Sequence, residues 1–543
     1  ADGDAAAGGG WRWLLTVSMS ILGAFLQCRH TGGKIAAVSA RFFSVAREGK
    51  TLPKDGPSLQ DFLRNSAVVS SSNEEQNGDV RPFSFRLESR LVQGKFYLET
   101  YGCQMNVSDS EIVHSILMEA GYDRTEDIEQ ADVILANTCA VRENPEKKVH
   151  HRLAYFNSLK KKKVISKNVT VGLLGCMAER LKSNLLDGGA VDLVVGPDAY
   201  RGLPALVAAA RADPAATALD VQLSRDETYA DIAPVRHNAA SHSAFVSIMR
   251  GCNNMCTYCI VPFTRGRERS RDFETILGEV ERLRGEGVKE ITLLGQNVNS
   301  YHDTSTAALG RWPACGHARA AGFADTFRAR AGGGARFADL LEEVARAAGP
   351  EVRVRFTSPH PKDFPDRVWE LLARHPGLCR QVHLPAQSGS TRVLAAMRRG
   401  YGRAAYLELV GRARGLVPGL QLSSDFISGF CGETEEDHRA TLDLLEQVGY
   451  SQAFMYAYSL RERTRAAYRL EDNVPRATKL RRLQEVIDCF HRTAAAGNQR
   501  ELGRTHLVLV EGPAKRGEGL LTGRTDTNKR VVFAGERPEG AAA

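Results

Sequence analysis

The sequence has few cysteines for its length, little net charge and no apolar run long enough to cross a membrane. Eleven cysteines in 543 residues are too few for a fold held together by disulfides. A net charge of +8 is small for this length, so charge alone does not identify a nucleic-acid-binding protein. The apolar stretch 13–26 is shorter than a spanning helix and contains Thr16, Ser18 and Ser20. With 43% hydrophobic and 25% charged residues, we expect a soluble globular protein of about two to four domains, with no membrane partner.

Three cysteines stand close together at Cys252, Cys256 and Cys259, and no fourth cysteine lies near them. Structural zinc sites use four ligands, commonly from paired C-x2-C hooks, so the C-x3-C-x2-C spacing does not fit one. A [4Fe-4S] cluster held by three thiolates keeps one iron open, and S-adenosylmethionine can chelate that iron through its amino and carboxylate groups. Tyr258, just before the third cysteine, fits this interpretation. The alternative is three buried thiols that act only as small hydrophobic residues.

The residues that follow make the pattern more specific. Positions 265–271 read Arg-Gly-Arg-Glu-Arg-Ser-Arg. Together with the cysteines, residues 249–271 resemble the radical SAM signature of the tRNA methylthiotransferases, and within that family the MiaB branch, which acts on isopentenyl-adenosine. The resemblance extends over residues ~95 to ~535 and is greatest to the animal mitochondrial form, the type associated with a regulatory subunit of cyclin-dependent kinase. It implies that Cys252, Cys256 and Cys259 are the catalytic cysteines.

A second set of cysteines is spread along the chain at Cys103, Cys139 and Cys176. Each ends a short β-rich run, and a helical pattern follows each one. The βαβα pattern predicts a doubly wound parallel sheet, in which ligands gather beyond the carboxyl ends of the strands. We therefore expect the three cysteines to converge, although three unrelated buried thiols are the alternative. The resemblance implies that they hold a second, auxiliary [4Fe-4S] cluster in a domain over residues 93–203.

Strand-like patterns recur six times in the predicted central domain, residues 241–490, after a linker at 204–240. They lie at 244–249, 290–294, 352–357, 381–384, 420–427 and 453–458. Six βα units suggest an open barrel, and the family has a partial (βα)6 barrel here. Barrel chemistry sits at the carboxyl ends of strands, so we expect Gln296, Gln387 and Asp425, together with Tyr258, to bind S-adenosylmethionine. Strand-end capping and turn hydrogen bonds are the alternative for these polar residues.

The C-terminal part, residues 491–543, alternates in hydrophobicity and carries basic turns. It resembles the start of the TRAM domain, a small β-barrel that binds tRNA in this family, and we expect a truncated form of it. A second basic run lies at residues 147–163, where Lys160 is followed by three more lysines. This run is either a solvated helix face or a surface that binds tRNA phosphates.

The N-terminal residues have the composition of a targeting segment. No acidic residue occurs between Asp4 and Glu48, while arginines and serines are frequent. This composition predicts a mitochondrial transit peptide over residues 1–53 and a location in the matrix. A secretory signal is the alternative, but iron–sulfur enzymes do not suit an oxidising route. Residues 54–92 are rich in Ser, Asn, Asp and Glu and predict a disordered linker.

The resemblance implies an enzyme that converts N6-isopentenyladenosine-37 of mitochondrial tRNA to its 2-methylthio form. One S-adenosylmethionine would methylate sulfur carried at the auxiliary cluster, and a second would supply the adenosyl radical. The expected partners are the tRNA anticodon loop, an electron donor and a sulfur source, and by resemblance alone a protein-kinase regulatory subunit. Alternatives are a methylthiotransferase for threonylcarbamoyl-adenosine or a ribosomal protein, and a non-catalytic regulatory binding protein.

Overall fold

The computed structural model describes residues 94–140, 143–182, 186, 189–213, 218–313, 322–324 and 332–535. The predicted transit peptide, 1–53, and the predicted disordered linker, 54–92, therefore lie outside the described residues. Among the described residues, no helix has the length and apolar character needed to cross a membrane.

The N-terminal part is a six-stranded, wholly parallel sheet in the order β2-β1-β3-β4-β5-β6. Its strands are β1 Gly94–Thr100, β2 Tyr122–Arg124, β3 Val133–Thr138, β4 Thr170–Gly175, β5 Leu193–Val195 and β6 Ala218–Asp220. Its helices are α1 Gln104–Glu119, α2 Glu143–Lys161, α3 Cys176–Leu181 and α4 Leu203–Ala212. Leu135 packs into the core on one face of β3, and its neighbour Ile134 packs into the core on the other face. Hydrophobic layers on both faces are typical of a doubly wound sheet and confirm the predicted α/β class.

The start of the expected linker, 204–240, is structured. Helix α4 begins at Leu203, and β6 pairs in parallel with β5 through Leu193 and Ala218. Leu206 and Val207 of α4 are buried in the core of the N-terminal sheet. The alanine-rich composition predicted a linker, but small apolar residues at helical spacing pack equally well against a sheet.

The central part has six parallel strands where the sequence patterns predict them. They are β7 Ser243–Ser247, β10 Glu290–Leu294, β13 Arg353–Phe356, β14 Gln381–His383, β15 Gln421–Ser428 and β16 Gln452–Ala457. They form two three-stranded sheets, β13-β10-β7 and β14-β15-β16, joined by a parallel bridge between Val354 and Leu378. Short antiparallel pairs lie beside them: β8 Met249–Arg250 with β9 Arg269–Ser270, and β11 His302–Asp303 with β12 Ala335–Arg336.

Helices lie between and after these strands along the chain. They are α5 Val261–Thr264, α6 Phe273–Gly285, α7 Thr306–Arg311, α8 Phe337–Ala348, α9 Asp366–Arg374, α10 Thr391–Ala396, α11 Arg403–Leu416, α12 Glu435–Val448, α13 Arg465–Arg469 and α14 Arg476–Gln499. In α6 the Asp272 side chain caps the helix by accepting from the backbone N–H groups of Glu274 and Thr275. Ile276 and Val280 on one face of α6 are buried in the central core.

Three antiparallel strands end the described chain: β17 Val508–Pro513, β18 Leu520–Thr525 and β19 Arg530–Ala534. They dock against Glu290 and Arg353, the first residues of β10 and β13. Arg353 donates to the carbonyl oxygens of Leu507 and Arg524, each at 2.7 Å, and Arg524 pairs with Glu290 at 2.9 Å. The C-terminal sheet therefore covers the amino-terminal ends of the central strands and leaves their carboxyl ends to the cysteine segment.

Candidate functional site

Cys252, Cys256 and Cys259 lie in one loop between β8 and α5. Gly251 begins this loop with a φ of +74°, and a Cβ there would overlap the carbonyl oxygen of Arg267. Glycine is therefore the residue that this turn accepts. The loop is closed by backbone bonds from Cys252 N–H to Gly266 O at 3.3 Å and from Cys259 N–H to Cys256 O at 3.0 Å.

The three thiols lie next to one another, with Cys252 and Cys256 buried and Cys259 partly buried. Burial raises the pKa of Cys252 well above its ordinary value and raises that of Cys259 to about 12, and the neighbouring cysteines contribute in the same direction. The buried side chain of Arg399 lies beside them and donates from Nη1 to the Cys256 sulfur at 3.3 Å. Three neighbouring thiolates would carry more negative charge than one guanidinium offsets, and an iron cluster would supply positive charge at that place. The donor set thus fits a cluster with three protein ligands.

The second set converges as the topology predicts. Cys103 follows β1, Cys139 follows β3 and Cys176 follows β4, all at the carboxyl edge of the N-terminal sheet. A Cβ placed on Gly102 would lie 2.6 Å from the Cys139 Cβ, and a hydrogen bond with Cys139 is the main cause that lowers the pKa of Cys103 to about 6. Burial raises the pKa of Cys176, and the negative charge of the Cys103 thiolate raises it further. None of the nine cysteines that the structure describes forms a disulfide. Three cysteines that converge at one edge of the sheet fit a three-thiolate cluster.

The two cysteine sets belong to different parts of the fold and are joined by a buried ion network. Asp109 of α1 accepts from Arg250 at 2.7 Å and from Arg265 at 2.6 Å. Arg265 also donates from Nε to the Cys176 sulfur at 3.1 Å. Asp109 is fully buried. The sequence motifs did not single out Asp109 or Arg399, because each is one charged residue of a helix or turn with no periodic signal.

The polar residues expected to bind S-adenosylmethionine make several contacts with the rest of the protein. Gln296 adjoins the cysteine loop, where its Oε1 accepts from Gly251 N–H at 2.6 Å. The Tyr258 ring packs edge-on against Phe430 at 6.5 Å between centroids. Gln387, which lies beyond the end of β14, donates its backbone N–H to the carbonyl oxygen of Asp425 in β15 at 2.9 Å.

Asp425 also has a side-chain partner, because its Oδ2 lies 3.0 Å from His383 Nε2. The hydrogen bond from Gly251 N–H gives Gln296 a local structural role in addition to its position beside the predicted site. Such strand-end hydrogen bonding is the alternative named above for these polar residues.

Three of the four arginines behind the cysteines are paired with carboxylates. Arg265 binds Asp109, Arg269 binds Asp198 through both nitrogens at 2.9 and 3.0 Å, and Arg271 binds Glu279. These three side chains are therefore engaged in ion pairs within the protein.

Comparison with known proteins agrees with both parts of the fold. Residues 95–196 match the model of an uncharacterized protein family, UPF0004, and residues 246–445 match the Radical SAM superfamily. The chain is 51% identical over 481 residues to the mitochondrial tRNA methylthiotransferase CDK5RAP1 of Mus musculus, covering 88% of this chain and 81% of the relative. It is 50% identical over 439 residues to the tRNA-2-methylthio-N(6)-dimethylallyladenosine synthase of Bacteroides thetaiotaomicron, covering 81% of this chain and 90% of the relative.

The chain belongs to the tRNA methylthiotransferase family. As a radical SAM methylthiotransferase it uses S-adenosylmethionine and [4Fe-4S] chemistry, as the cysteine motif indicates. Among solved structures it is similar to the radical S-adenosylmethionine methyltransferase TsrM of Kitasatospora setae. That match has a TM-score of 0.47 and 15% identity, and covers 70% of this methylthiotransferase and 77% of the other chain.

Proposed function

We propose that this protein converts N6-isopentenyladenosine-37 in the anticodon loop of mitochondrial tRNA to 2-methylthio-N6-isopentenyladenosine, in the mitochondrial matrix. The observation that carries the proposal is the identity of about 50% to a mitochondrial and to a bacterial methylthiotransferase, over most of each chain. The bacterial relative is named as a synthase of this product, and the animal relative as a mitochondrial enzyme.

The proposed division of labour follows the two cysteine sets. Cys252, Cys256 and Cys259 would hold the cluster that binds S-adenosylmethionine, and the second set, Cys103, Cys139 and Cys176, would hold the auxiliary cluster. When bound, the first cluster would supply the electron for cleavage of S-adenosylmethionine, and the second would carry sulfur. The protein's own side chains exclude water from both sites and fix them relative to each other. Tyr258, Gln296, Gln387 and Asp425 are the proposed S-adenosylmethionine contacts.

We further propose three functional domains: an auxiliary-cluster domain from about residue 93 to the end of β6, a partial (βα)6 barrel at 241–490 and a TRAM-like tRNA-binding domain at 491–543. The six parallel strands support the second domain, and the small antiparallel sheet supports the third. The target base would be splayed from the loop, as bases of single-stranded RNA commonly are. An electron donor and a sulfur source are separate partners of the reaction.

The test uses anaerobically reconstituted protein, a tRNA that carries isopentenyladenosine, S-adenosylmethionine and dithionite. We expect about eight irons per chain and 2-methylthio product in the tRNA nucleosides by mass spectrometry. Cys252→Ala should hold about half the iron and form no 5′-deoxyadenosine. Cys139→Ala should still form 5′-deoxyadenosine but no methylthio product. Methylthiolation of a threonylcarbamoyl-adenosine tRNA in place of the isopentenyl substrate would overturn the proposed substrate.

A further inference from the structure

One buried carboxylate holds both ends of the loop that carries Cys252, Cys256 and Cys259. Arg250 stands two residues before Cys252, and Arg265 stands just beyond α5, which follows the loop. Both reach Asp109 of the N-terminal part, one on each carboxylate oxygen. The three charged side chains are 0–3% exposed. The loop is thus held on a helix of the other domain at its entrance and at its exit.

Arg265 also contacts a cysteine of the second set. Its Nε donates to the Cys176 sulfur at 3.1 Å while its Nη2 donates to Asp109 at 2.6 Å. A guanidinium is planar and presents several N–H groups in fixed directions, so it can serve both acceptors at once. A lysine ammonium is a compact point charge on a flexible stem and does not present this fixed fork.

The opposite charges in this network stabilise the ionised form of the buried carboxylate. Burial alone would raise the pKa of Asp109, but the Arg265 and Arg250 guanidinium groups hold it below its usual range. Arg265, which belongs to the radical SAM part of the chain, places its positive charge directly against the Cys176 sulfur at 3.1 Å.

We propose that Arg265 is a positioning residue: its hydrogen bond tunes the sulfur of Cys176, and its ion pair with Asp109 fixes the auxiliary centre relative to the radical centre. The inference rests on the proposed function, in which the two cysteine sets hold clusters. Hydrogen bonds to ligand sulfurs set cluster potentials. Productive transfer requires the radical site and the sulfur to meet one substrate carbon, and a misplacement of about 1 Å can cost on the order of a hundredfold in rate.

The same interface offers a matched control. Arg269 binds Asp198 with two bonds of 2.9 and 3.0 Å, and both side chains are buried. Its other hydrogen bonds go to the carbonyl oxygens of Ser224, Asp226 and Arg265. Asp198→Asn therefore weakens a buried interdomain ion pair without altering the guanidinium on Cys176.

The experiment compares Arg265→Lys with Asp198→Asn. In a Cys252→Ala background, where the auxiliary cluster alone is expected, redox titration followed by EPR should give a more negative auxiliary potential for Arg265→Lys and an unchanged one for Asp198→Asn. In the otherwise wild-type chain, Arg265→Lys should raise the ratio of 5′-deoxyadenosine to methylthio product, on the order of tenfold, and Asp198→Asn should leave that ratio near wild type. If Arg265→Lys does not fold, the double variant Asp109→Asn/Arg265→Gln removes both charges together and takes its place.

Iron content separates the two possible failures. If the wild type binds only four irons, or if Cys176→Ala keeps all eight, the assignment of the second cluster is wrong. If eight irons bind but the auxiliary potential and the product ratio are the same in the Arg265 and Asp198 variants, the cluster assignment stands and the role of Arg265 is overturned.

Discussion

At the scale of single residues, Glu111 shows how burial changes a carboxyl group. It lies on α1, is 8% exposed, and accepts from the backbone N–H of His237 at 3.3 Å. Burial is the main cause that raises its pKa from 4.5 to about 7, and the negative charge of Glu279 adds to the effect. Asp109, on the same helix, remains ionised because two arginines surround it. The difference between the two acids is the difference in their partners.

The raised pKa predicts a pH dependence of stability. A carboxyl with a higher pKa in the folded state binds its proton more tightly there, so the folded state loses stability as pH rises from about 4.5 through about 7. The full shift corresponds to about 3 kcal/mol. Glu111→Gln keeps the hydrogen bond and removes the titration, so its thermal midpoint should exceed that of the wild type by more at pH 8 than at pH 5. Glu119→Gln, an exposed position at the end of the same helix, is the control, and an equal effect of both variants would contradict the explanation.

At the scale of elements, the C-terminal sheet is held to the central strands mainly by arginines that donate to carbonyl oxygens. Arg355 of β13 is buried and donates to Thr525 O at 2.8 Å and Asp526 O at 2.7 Å, while its Nε binds Glu290 at 2.7 Å. The small sheet has a core of only a few apolar residues, among them Val508, Val531 and Phe533. Its order therefore depends on this docking as much as on its own packing.

Loss of the Arg355 side chain should release the C-terminal sheet. Removing one partner of a buried ion pair costs about 3–5 kcal/mol, so Arg355→Ala should speed amide hydrogen exchange across residues 508–534. Formation of 5′-deoxyadenosine without tRNA should continue, because the cysteine loop lies at the other end of the strands. Arg380→Ala is the control, since Arg380 is exposed and its contacts with Ala373 O and Pro418 O are 3.5 Å long. Equal exchange in the two variants would show that the sheet is held by other contacts.

At the scale of the whole molecule, the cysteine loop and the C-terminal sheet lie at opposite ends of the central strands. The N-terminal sheet meets the cysteine loop through Asp109 and through the packing of Ile260 against Cys176. The C-terminal sheet meets the other end through Arg353 and Arg355. A tRNA held by the C-terminal sheet would thus have to reach along the central domain to present its base to the cysteines.

The N-terminal composition predicts where the molecule is delivered. Residues 5–47 fused to a fluorescent reporter should carry it into mitochondria, because this stretch is basic and free of acids. Replacing Arg12, Arg29 and Arg41 with Glu should leave the reporter in the cytosol. The same three positions changed to Lys keep the charge and should preserve import. Secretion of the reporter would contradict the transit-peptide interpretation in favour of a signal peptide.

The two cysteine sets, the α/β class and the positions of the six central strands can be predicted from the order of amino acids alone. Each of these features is local in sequence. A C-x3-C-x2-C loop, a β-rich run that ends in cysteine and an apolar period are each formed by residues within a short stretch of chain. The sequence also placed Gln296 beside the cysteine loop, because the carboxyl ends of barrel strands share one edge.

How the two cysteine sets are joined is visible in the folded chain and not in its sequence. Arg265 meets Cys176 across 89 residues and Asp109 across 156, and Arg399 meets Cys256 across 143. In the sequence each of these side chains resembles an ordinary surface charge, since a charged residue carries no mark of the partner that makes its burial tolerable. The start of the alanine-rich stretch forms helix α4 where a linker was predicted, for a related reason. Small apolar residues become buried when the fold brings a sheet beside them, as the sheet that contains β5 does for α4.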